Sequence, residues 1–320
     1  MSGERVNRHN VGDLQQMQSL PLSAKITMSK RRIREWYDYW EGQVYVSFSG
    51  GKDSTVLKHL VENTPGVYDV PVVFVDTGLE YPEVRKFATE RADVVLKPEM
   101  RFDEVIKTYG YPVASKEVAQ KVYELRNYNL SDQYRDELLT GANGRKRRKI
   151  PEKWKILIDA PFEVSRKCCD VMKKNPAKKY ERETGRKAIL GTMAAESASR
   201  MQDWLRHGCN AFEDKKRASS KPLSFWTEQD ILQYIQEYNL DYASVYGDIQ
   251  SNENGLLYTT GCNRTGCMFC MFGCTQDKTP NRFQRMKETH PRQYDYCMRP
   301  LDQKGLGLRE VLEYIGVPHE

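Results

Sequence analysis

Between Val44 and Leu57 the chain reads VYVSFSGGKDSTVL, and this stretch constrains the fold more than any other. Its first five residues, rich in valine and aromatic side chains, have the character of a short buried strand. From Asp53 to Asn63 the pattern turns helical. Only a few small residues join the two. A strand that enters a helix through so short a turn leaves unpaired backbone N–H groups at the helix N-terminus, where the dipole favours negative charge. Gly50 and Gly51 let the backbone approach an anion closely. Lys52 can neutralise phosphate charge, and Ser49, Ser54 and Thr55 can add hydroxyl donors. Asp53 alone would repel a phosphate, which points to Mg²⁺ between the two. The loop is not of the Walker A type, because only Ser-Gly-Gly precedes Lys-Asp-Ser.

The surrounding pattern repeats the strand–helix alternation. Val70 to Asp76 reads as a second buried strand, followed by a helix around 82–91. Asp93 to Pro98 reads as a third strand, and Lys187 to Thr192 as a later strand of the same sheet. Such alternation predicts an α/β fold, a Rossmann-like parallel sheet with crossover helices on both faces. Residues 1–28 show little periodicity and read as a loose lead-in. Ser29 is expected to cap a helix in which Ile33, Trp36 and Trp40 share a face. Residues 115–150 read as a polar, mostly helical, basic insertion. After about 220 the pattern changes to an amphipathic helix capped by Thr227, a Cys/Gly-rich segment, and a last helix in GLREVLEYI. The expected domains are therefore a lead-in and helix over 1–40, a nucleotide-binding domain over 41–225, and a helical, Cys-rich region over 226–320.

Hydrophobic residues are 39% and charged residues 29%, a globular composition. No apolar run approaches the ~20 residues of a membrane helix, and the first 30 residues lack an apolar signal core. The expected compartment is the cytoplasm, with no membrane partner. The eight cysteines would there be metal ligands or redox groups rather than disulfides. The formal charge is +6, and GRKRRK at 144–149 opens a lysine-rich stretch to Lys187. That stretch reads either as a solvated loop or as a patch that meets phosphates. The five histidines show no ligand spacing.

Cysteines fall at 262, 267, 270 and 274, with Cys168 and Cys169 upstream. The x₄, x₂ part of the run matches an iron–sulfur ligand spacing, and Cys267-x-x-Cys270 also suits Zn²⁺ or a redox pair. Spacing alone allows Cys262, Cys267, Cys270 and Cys274 as ligands, or one of Cys168 and Cys169 with Cys262, Cys267 and Cys270. Cys209 and Cys297 read as structural.

The string SGGKDS resembles the phosphate loop of the PP-loop superfamily, the adenine-nucleotide α-hydrolases. VDTGLEYPE (Val75 to Glu83) resembles the segment after the second strand in PAPS reductases. CCDVMKKNP (Cys168 to Pro176), AILGTMAAESASR (Ala188 to Arg200) and KPLSFWTEQDILQYI (Lys221 to Ile235) resemble further motifs of sulfonucleotide reductases. The resemblance covers roughly residues 40–275. It implies that ATP lies with its phosphates on Ser47, Ser49, Gly50, Gly51, Lys52, Asp53, Ser54 and Thr55. It places the ribose and adenine near Asp76 and Thr77, and a phosphate contact at Arg200. Lys52, Asp53 and Asp76 are the implied catalytic residues. It selects Cys168, Cys169, Cys267 and Cys270 as ligands of a [4Fe–4S] cluster, with Cys262 as the alternative.

One departure narrows the expectation. The reductases end in a Glu-Cys-Gly-Ile/Leu-His tail whose cysteine attacks the sulfate, whereas this chain ends EYIGVPHE. It resembles instead the ATP-pyrophosphatase relatives of the DndC and SspD type found in bacterial DNA phosphorothioation. The implied activity is adenylation of an acceptor, a DNA backbone phosphate or a tRNA, with release of pyrophosphate. Sulfur from a cysteine desulfurase would follow. Two other readings stand beside it: a PAPS or APS reductase with a relocated cysteine at Cys262, Cys274 or Cys297, and a non-catalytic subunit binding ATP and DNA.

Overall fold

A computed structural model describes residues 7–142, 144–145, 148–213 and 218–320. In chain order the elements are α1 (Val11–Gln18), α2 (Leu22–Tyr39), β1 (Val44–Phe48), α3 (Lys52–Glu62), β2 (Val72–Val75), α4 (Pro82–Arg91), β3 (Val94–Leu96), α5 (Phe102–Tyr109), β4 (Val113–Ala114), α6 (Lys116–Asn127), α7 (Asp132–Leu139), α8 (Lys167–Cys169) and α9 (Asn175–Thr184). They continue as β5 (Lys187–Leu190), α10 (Ala198–His207), β6 (Asn210–Ala211), β7 (Ser219–Ser220), α11 (Glu228–Glu237), β8 (Ile249–Ser251), β9 (Leu257–Thr259), β10 (Met271–Phe272), α12 (Arg282–Thr289), α13 (Pro291–Met298) and α14 (Leu308–Tyr314). They fold as two units. The first holds the described residues of Met1–Asp76, Glu80–Lys97 and Ala177–Thr265; the second holds those of Thr77–Leu79, Pro98–Pro176 and Gly266–Glu320.

The first unit carries the expected Rossmann-like sheet, in the order β3-β2-β1-β5-β7-β6. Its pairs are parallel except for β6 with β7. Alternate residues of a strand face opposite sides. Tyr45 packs edge-on against Tyr180 of α9, while Phe48, of opposite parity, meets Phe87 of α4. Helices therefore cover both faces. From β1 the chain crosses to β2 and β3 on one side, and β5 pairs on the other. Sheets with such a reversal bind ligands at the carboxyl ends of the strands beside it, here β1 and β5.

The N-terminal stretch departs from expectation. Residues 11–18 and 22–39 are helical, and Ser29 lies in the middle of α2 rather than at its start. Asn10 closes a capping box on α1, and Leu14 is its buried anchor. On α2 the buried face includes Lys25 and Ser29 beside Ile33 and Trp36, so an apolar periodicity fails to show it. Ser29 donates to the Pro222 carbonyl (2.8 Å) and accepts from the Trp226 indole (2.9 Å). Lys25 Nζ meets both oxygens of Asp230, at 2.8 and 2.7 Å, and the carbonyl of Gln18. The pair is buried, with side chains 2% and 10% exposed. Removing one partner of a buried pair strands the other charge. Lys25→Ala should therefore cost about 3–5 kcal/mol, read from the denaturant midpoint. A loss below about 1 kcal/mol would mean that water reaches Asp230.

In the second unit β4 pairs in parallel with β10, Val113 opposite Met271. The Tyr111 hydroxyl donates to the Leu306 carbonyl (3.0 Å), and the Tyr294 hydroxyl donates to the His319 carbonyl (2.9 Å). The expected insertion contains α6 and α7. In its basic run, Arg145 and Arg148 pair with the buried Glu137 at 3.5 and 2.7 Å, and Lys149 pairs with Glu152 at 2.6 Å. These charges are already partnered by carboxylates of the same unit. Lys146 and Arg147 lie outside the described residues. Among the described residues no helix is long and apolar enough to cross a membrane.

Candidate functional site

The turn after β1 is held in shape by its own hydroxyls. Ser54 Oγ donates to the Gly51 carbonyl (2.9 Å), accepts from the Ser49 N–H (3.2 Å) and lies 3.0 Å from Ser49 Oγ. Thr55 Oγ1 donates to the same Gly51 carbonyl at 3.1 Å. Gly50 has φ +71°, and a Cβ there would lie 2.8 Å from both the Val84 carbonyl and Ala88 Cβ of α4. No other residue fits without moving α4. Ser47 sits one residue from the end of β1, paired with Val73 and Leu190.

Lys52 opens α3 and is only 3% exposed. Its ammonium donates to the Asn263 carbonyl (2.8 Å) and meets Glu228 Oε1 at 3.1 Å and Asp53 Oδ1 at 3.7 Å. The Tyr246 hydroxyl accepts from the Lys52 backbone N–H at 3.4 Å and shares a 3.0 Å bond with Thr265 Oγ1. The phosphate-type donors at this helix start thus face oxygens of the protein's own 246–265 segment.

Asp53 Oδ1 is buried and makes no hydrogen bond. Burial pushes the carboxyl above its usual range; Lys52, Arg264 and Arg200 pull it back, and Glu228 pushes it further. A buried carboxylate oxygen without a hydrogen donor is the arrangement that a hard divalent cation satisfies. The residues at this position therefore fit a Mg²⁺-bound polyphosphate.

The end of β5 delivers the next cation. A Cβ at Gly191 would lie 3.1 Å from the Asp53 carbonyl, so the chain leaving β5 passes against the first turn of α3. The turn Ala194–Glu196 follows, and Arg200 lies in the first turn of α10. Glu196 forms an ion pair with Arg200 through Oε2 and lies 3.5 Å from Arg264 through Oε1. Burial and the neighbouring Arg264 lower the Arg200 pKa, against the pull of Asp53.

Asp76 follows β2 and is buried. Both carboxylate oxygens of Asp76 accept from Arg85, at 2.8 and 2.7 Å. Thr77 belongs to the second unit, where its hydroxyl accepts from the Leu79 N–H (3.1 Å).

Sequence reasoning missed Glu196, Glu228, Tyr246, Asn263 and Arg264. Arg264 stands inside the cysteine run, where spacing drew attention to its neighbours. Glu228 reads as a helix first-turn acid. Tyr246 and the Asn263 carbonyl have no sequence signal.

None of the eight cysteines is in a disulfide. Cys168, Cys169, Cys267 and Cys270 share the second unit and act on one another electrostatically; Cys262 belongs to the first. Cys168 shares a hydrogen bond with Cys169. That bond holds the Cys169 thiol below its usual range, against burial and helped by Lys116, Lys173 and Lys174. The same bond, and burial, push Cys168 up. Burial pushes Cys270 and Cys274 up to about 11, with Arg282 opposing at both. A π turn, Asp170–Lys174, follows Cys169 directly, a local irregularity that re-aims side chains. Among the described residues no three His, Cys, Asp or Glu side chains are grouped to hold a metal ion. A four-iron cluster holds its sulfurs farther apart than one ion does. The positive charge of Lys116, Lys173 and Lys174 on Cys169, and of Arg282 on Cys270, fits the net negative charge of such a cluster.

Residues 43–272 match the family model of the phosphoadenosine phosphosulfate reductase domain. An uncharacterized protein of Methanocaldococcus jannaschii is 25% identical over 241 residues, covering 74% of this chain and 38% of that protein. A second from the same organism is 25% identical over 286 residues, 88% of this chain and 53% of its own length. Sulfate adenylyltransferase subunit 2 of Shigella dysenteriae is 27% identical over 222 residues, 62% of this chain and 58% of that subunit. The chain thus spans about 38–58% of the length of these relatives. Among solved structures, a phosphoadenylyl-sulfate reductase from Candida auris aligns with TM-score 0.40 and 13% identity, over 78% of this chain and 99% of that one. The U34-tRNA thiolase NcsA from Methanococcus maripaludis, with its [4Fe-4S] cluster, aligns with TM-score 0.35 and 16% identity, over 69% of this chain and 66% of that one.

Proposed function

Because the chain belongs to the phosphoadenosine phosphosulfate reductase domain family, we propose that it is a PP-loop enzyme that cleaves ATP to AMP and pyrophosphate while activating an acceptor for sulfur insertion. One observation carries the reading. The buried, unbonded Asp53 oxygen stands at the N-terminus of α3 beside Lys52, with Arg200 and Arg264 acting on it. An acceptor oxygen attacks the α-phosphorus, and the bond to the bridging oxygen of the β-phosphate breaks. The acceptor is left as its adenylate, and the electron pair leaves with pyrophosphate. The N–H groups of the loop and the Lys52 ammonium stabilise that departing charge. A persulfide sulfur from the donor then attacks the activated centre and displaces AMP, and a second thiol cleaves the resulting disulfide, leaving one sulfur on the acceptor and a disulfide between the two thiols. Mg²⁺, held by Asp53, would neutralise part of the polyphosphate charge.

The acceptor we favour is a DNA backbone phosphate, on the motif resemblance; tRNA is the second choice, and a cysteine desulfurase the expected sulfur donor. A [4Fe–4S] cluster on Cys168, Cys169, Cys267 and Cys270 would bind sulfur or brace the second unit. Sulfonucleotide reduction, the competing chemistry, needs an accessible, low-pKa thiol. Burial pushes Cys274 up to about 11 and Cys297 up to about 12, which leaves that reading resting on Cys262.

Product analysis of anaerobic protein with Mg²⁺, α-labelled ATP and DNA tests the proposal. AMP and pyrophosphate are expected, falling on the order of 10²–10³-fold in Asp53→Asn. ADP and phosphate, or intact ATP with every acceptor tried, would overturn it. The same variant should melt no lower than the parent at neutral pH. The folded pKa of Asp53 is raised, so ionisation costs the folded state stability, and that cost grows as pH rises through the raised value. Asparagine removes the cost.

A further inference from the structure

We propose that Arg264 and Arg200 form a pyrophosphate clamp at the mouth of the loop, and that Glu196 occupies this clamp until the anion arrives. The inference rests on the ATP-cleaving reading above and assigns its leaving group. Two guanidinium groups held close together repel unless an anion lies between them. Here Glu196 supplies it, pairing with Arg200 through one oxygen and standing 3.5 Å from Arg264 through the other. Its side chain is 10% exposed, and its Oε2 accepts from the Met193 N–H at 2.8 Å. A second carboxylate, Glu228, meets Lys52 in the same way. Three cations (Lys52, Arg200, Arg264) thus face three carboxylates (Asp53, Glu196, Glu228), and the group is neutral as it stands.

Arg264 is delivered by a firmly attached stretch. The Gly261 N–H donates to the Tyr246 carbonyl (2.8 Å), and the Cys262 N–H donates to the Val245 carbonyl (3.0 Å). The Asn263 carbonyl accepts from Lys52, and the Thr265 hydroxyl bonds Tyr246. Arg264 therefore stands between two residues anchored at the loop, while its own side chain is 54% exposed and open to a ligand. Guanidinium forks match phosphoryl oxygens bidentately. Three cations gathered at one helix start suit a group carrying several negative charges, which is the pyrophosphate half of ATP and not the AMP half.

Calorimetric titration of the full chain with inorganic pyrophosphate and with AMP tests this without any turnover. Arg264→Ala should weaken pyrophosphate about 10- to 100-fold, the effect of losing a charged hydrogen bond, and leave AMP binding unchanged. Glu196→Gln should tighten pyrophosphate roughly two- to fivefold, because the competing carboxylate is gone. Melting curves confirm that both variants are folded. Unchanged pyrophosphate affinity in Arg264→Ala overturns the clamp. Weaker binding in a folded Glu196→Gln overturns the placeholder role. If the parent binds pyrophosphate as expected but never releases it from ATP, the catalytic reading fails and the clamp stands. If the parent cleaves ATP and Arg264→Ala binds pyrophosphate normally, only the clamp fails.

Discussion

Lys52→Ala is expected to cut ATP-dependent pyrophosphate release by on the order of 10²–10³-fold, the usual cost of one preorganised donor to a developing anion. The melting temperature should fall as well, though by far less than the activity: Glu228 is 44% exposed and can hydrate, and the Asn263 carbonyl loses one bond worth about 1 kcal/mol, but the buried Asp53 loses a cation that offsets its charge. Lys52→Arg should not rescue activity, since a planar guanidinium is not interchangeable with a compact ammonium in a pocket this closed. Rates of pyrophosphate release and melting curves on the same preparations separate the two effects. A variant that keeps activity but melts much lower would make Lys52 a structural cross-link between α3 and the 246–265 segment.

Alanine at any one of Cys168, Cys169, Cys267 or Cys270 should remove most of the iron and acid-labile sulfide from anaerobically reconstituted protein, together with its visible absorbance. Four thiolates must be gathered, and losing one leaves an iron site open. Cys209→Ala and Cys297→Ala should keep the iron, because both thiols are buried, Cys209 against the Ser224 hydroxyl and Cys297 against the Tyr294 carbonyl. Cys262→Ala decides between the set that the family resemblance implies and the sets that spacing allows, both of which include Cys262. Full iron in that variant supports the set gathered in the second unit. Lost iron in Cys262→Ala with full iron in Cys168→Ala would assign the ligands to the local run instead.

Strand β1, the loop and α3 were legible because their signals are local. A short apolar run, two glycines and a helical period sit side by side, and Gly50 is where φ +71° and the nearness of α4 require it. Strands β2 and β5 read equally well, since strands buried in a parallel sheet are largely apolar, and β3 reads so too although it is a half-exposed edge strand. The second half of α2, with Ile33 and Trp36 on its buried face, was legible, but α1 and the first turns of α2 were not. Lys25 and Ser29 lie on the buried face of α2, and only Asp230, Pro222 and Trp226, some two hundred residues away, make burial of those polar groups favourable.

The same division runs through the candidate site. The sequence alone identified an anion-binding turn with Lys52 and Asp53 in it, a family, and two cysteine pairs. Only the tertiary structure decided what faces that turn: Glu228 and Asn263 on Lys52, Tyr246 on its backbone N–H, and Glu196 between Arg200 and Arg264. It also turned the hydroxyls of Ser54 and Thr55 inward onto Gly51 and gave Asp76 to Arg85. The physical reason is range. Strand, turn and helix preferences act over a few residues and leave a pattern along the chain. A charge finds its partner through space, and the segments that meet here stand up to 211 positions apart in a chain that carries no mark of the meeting.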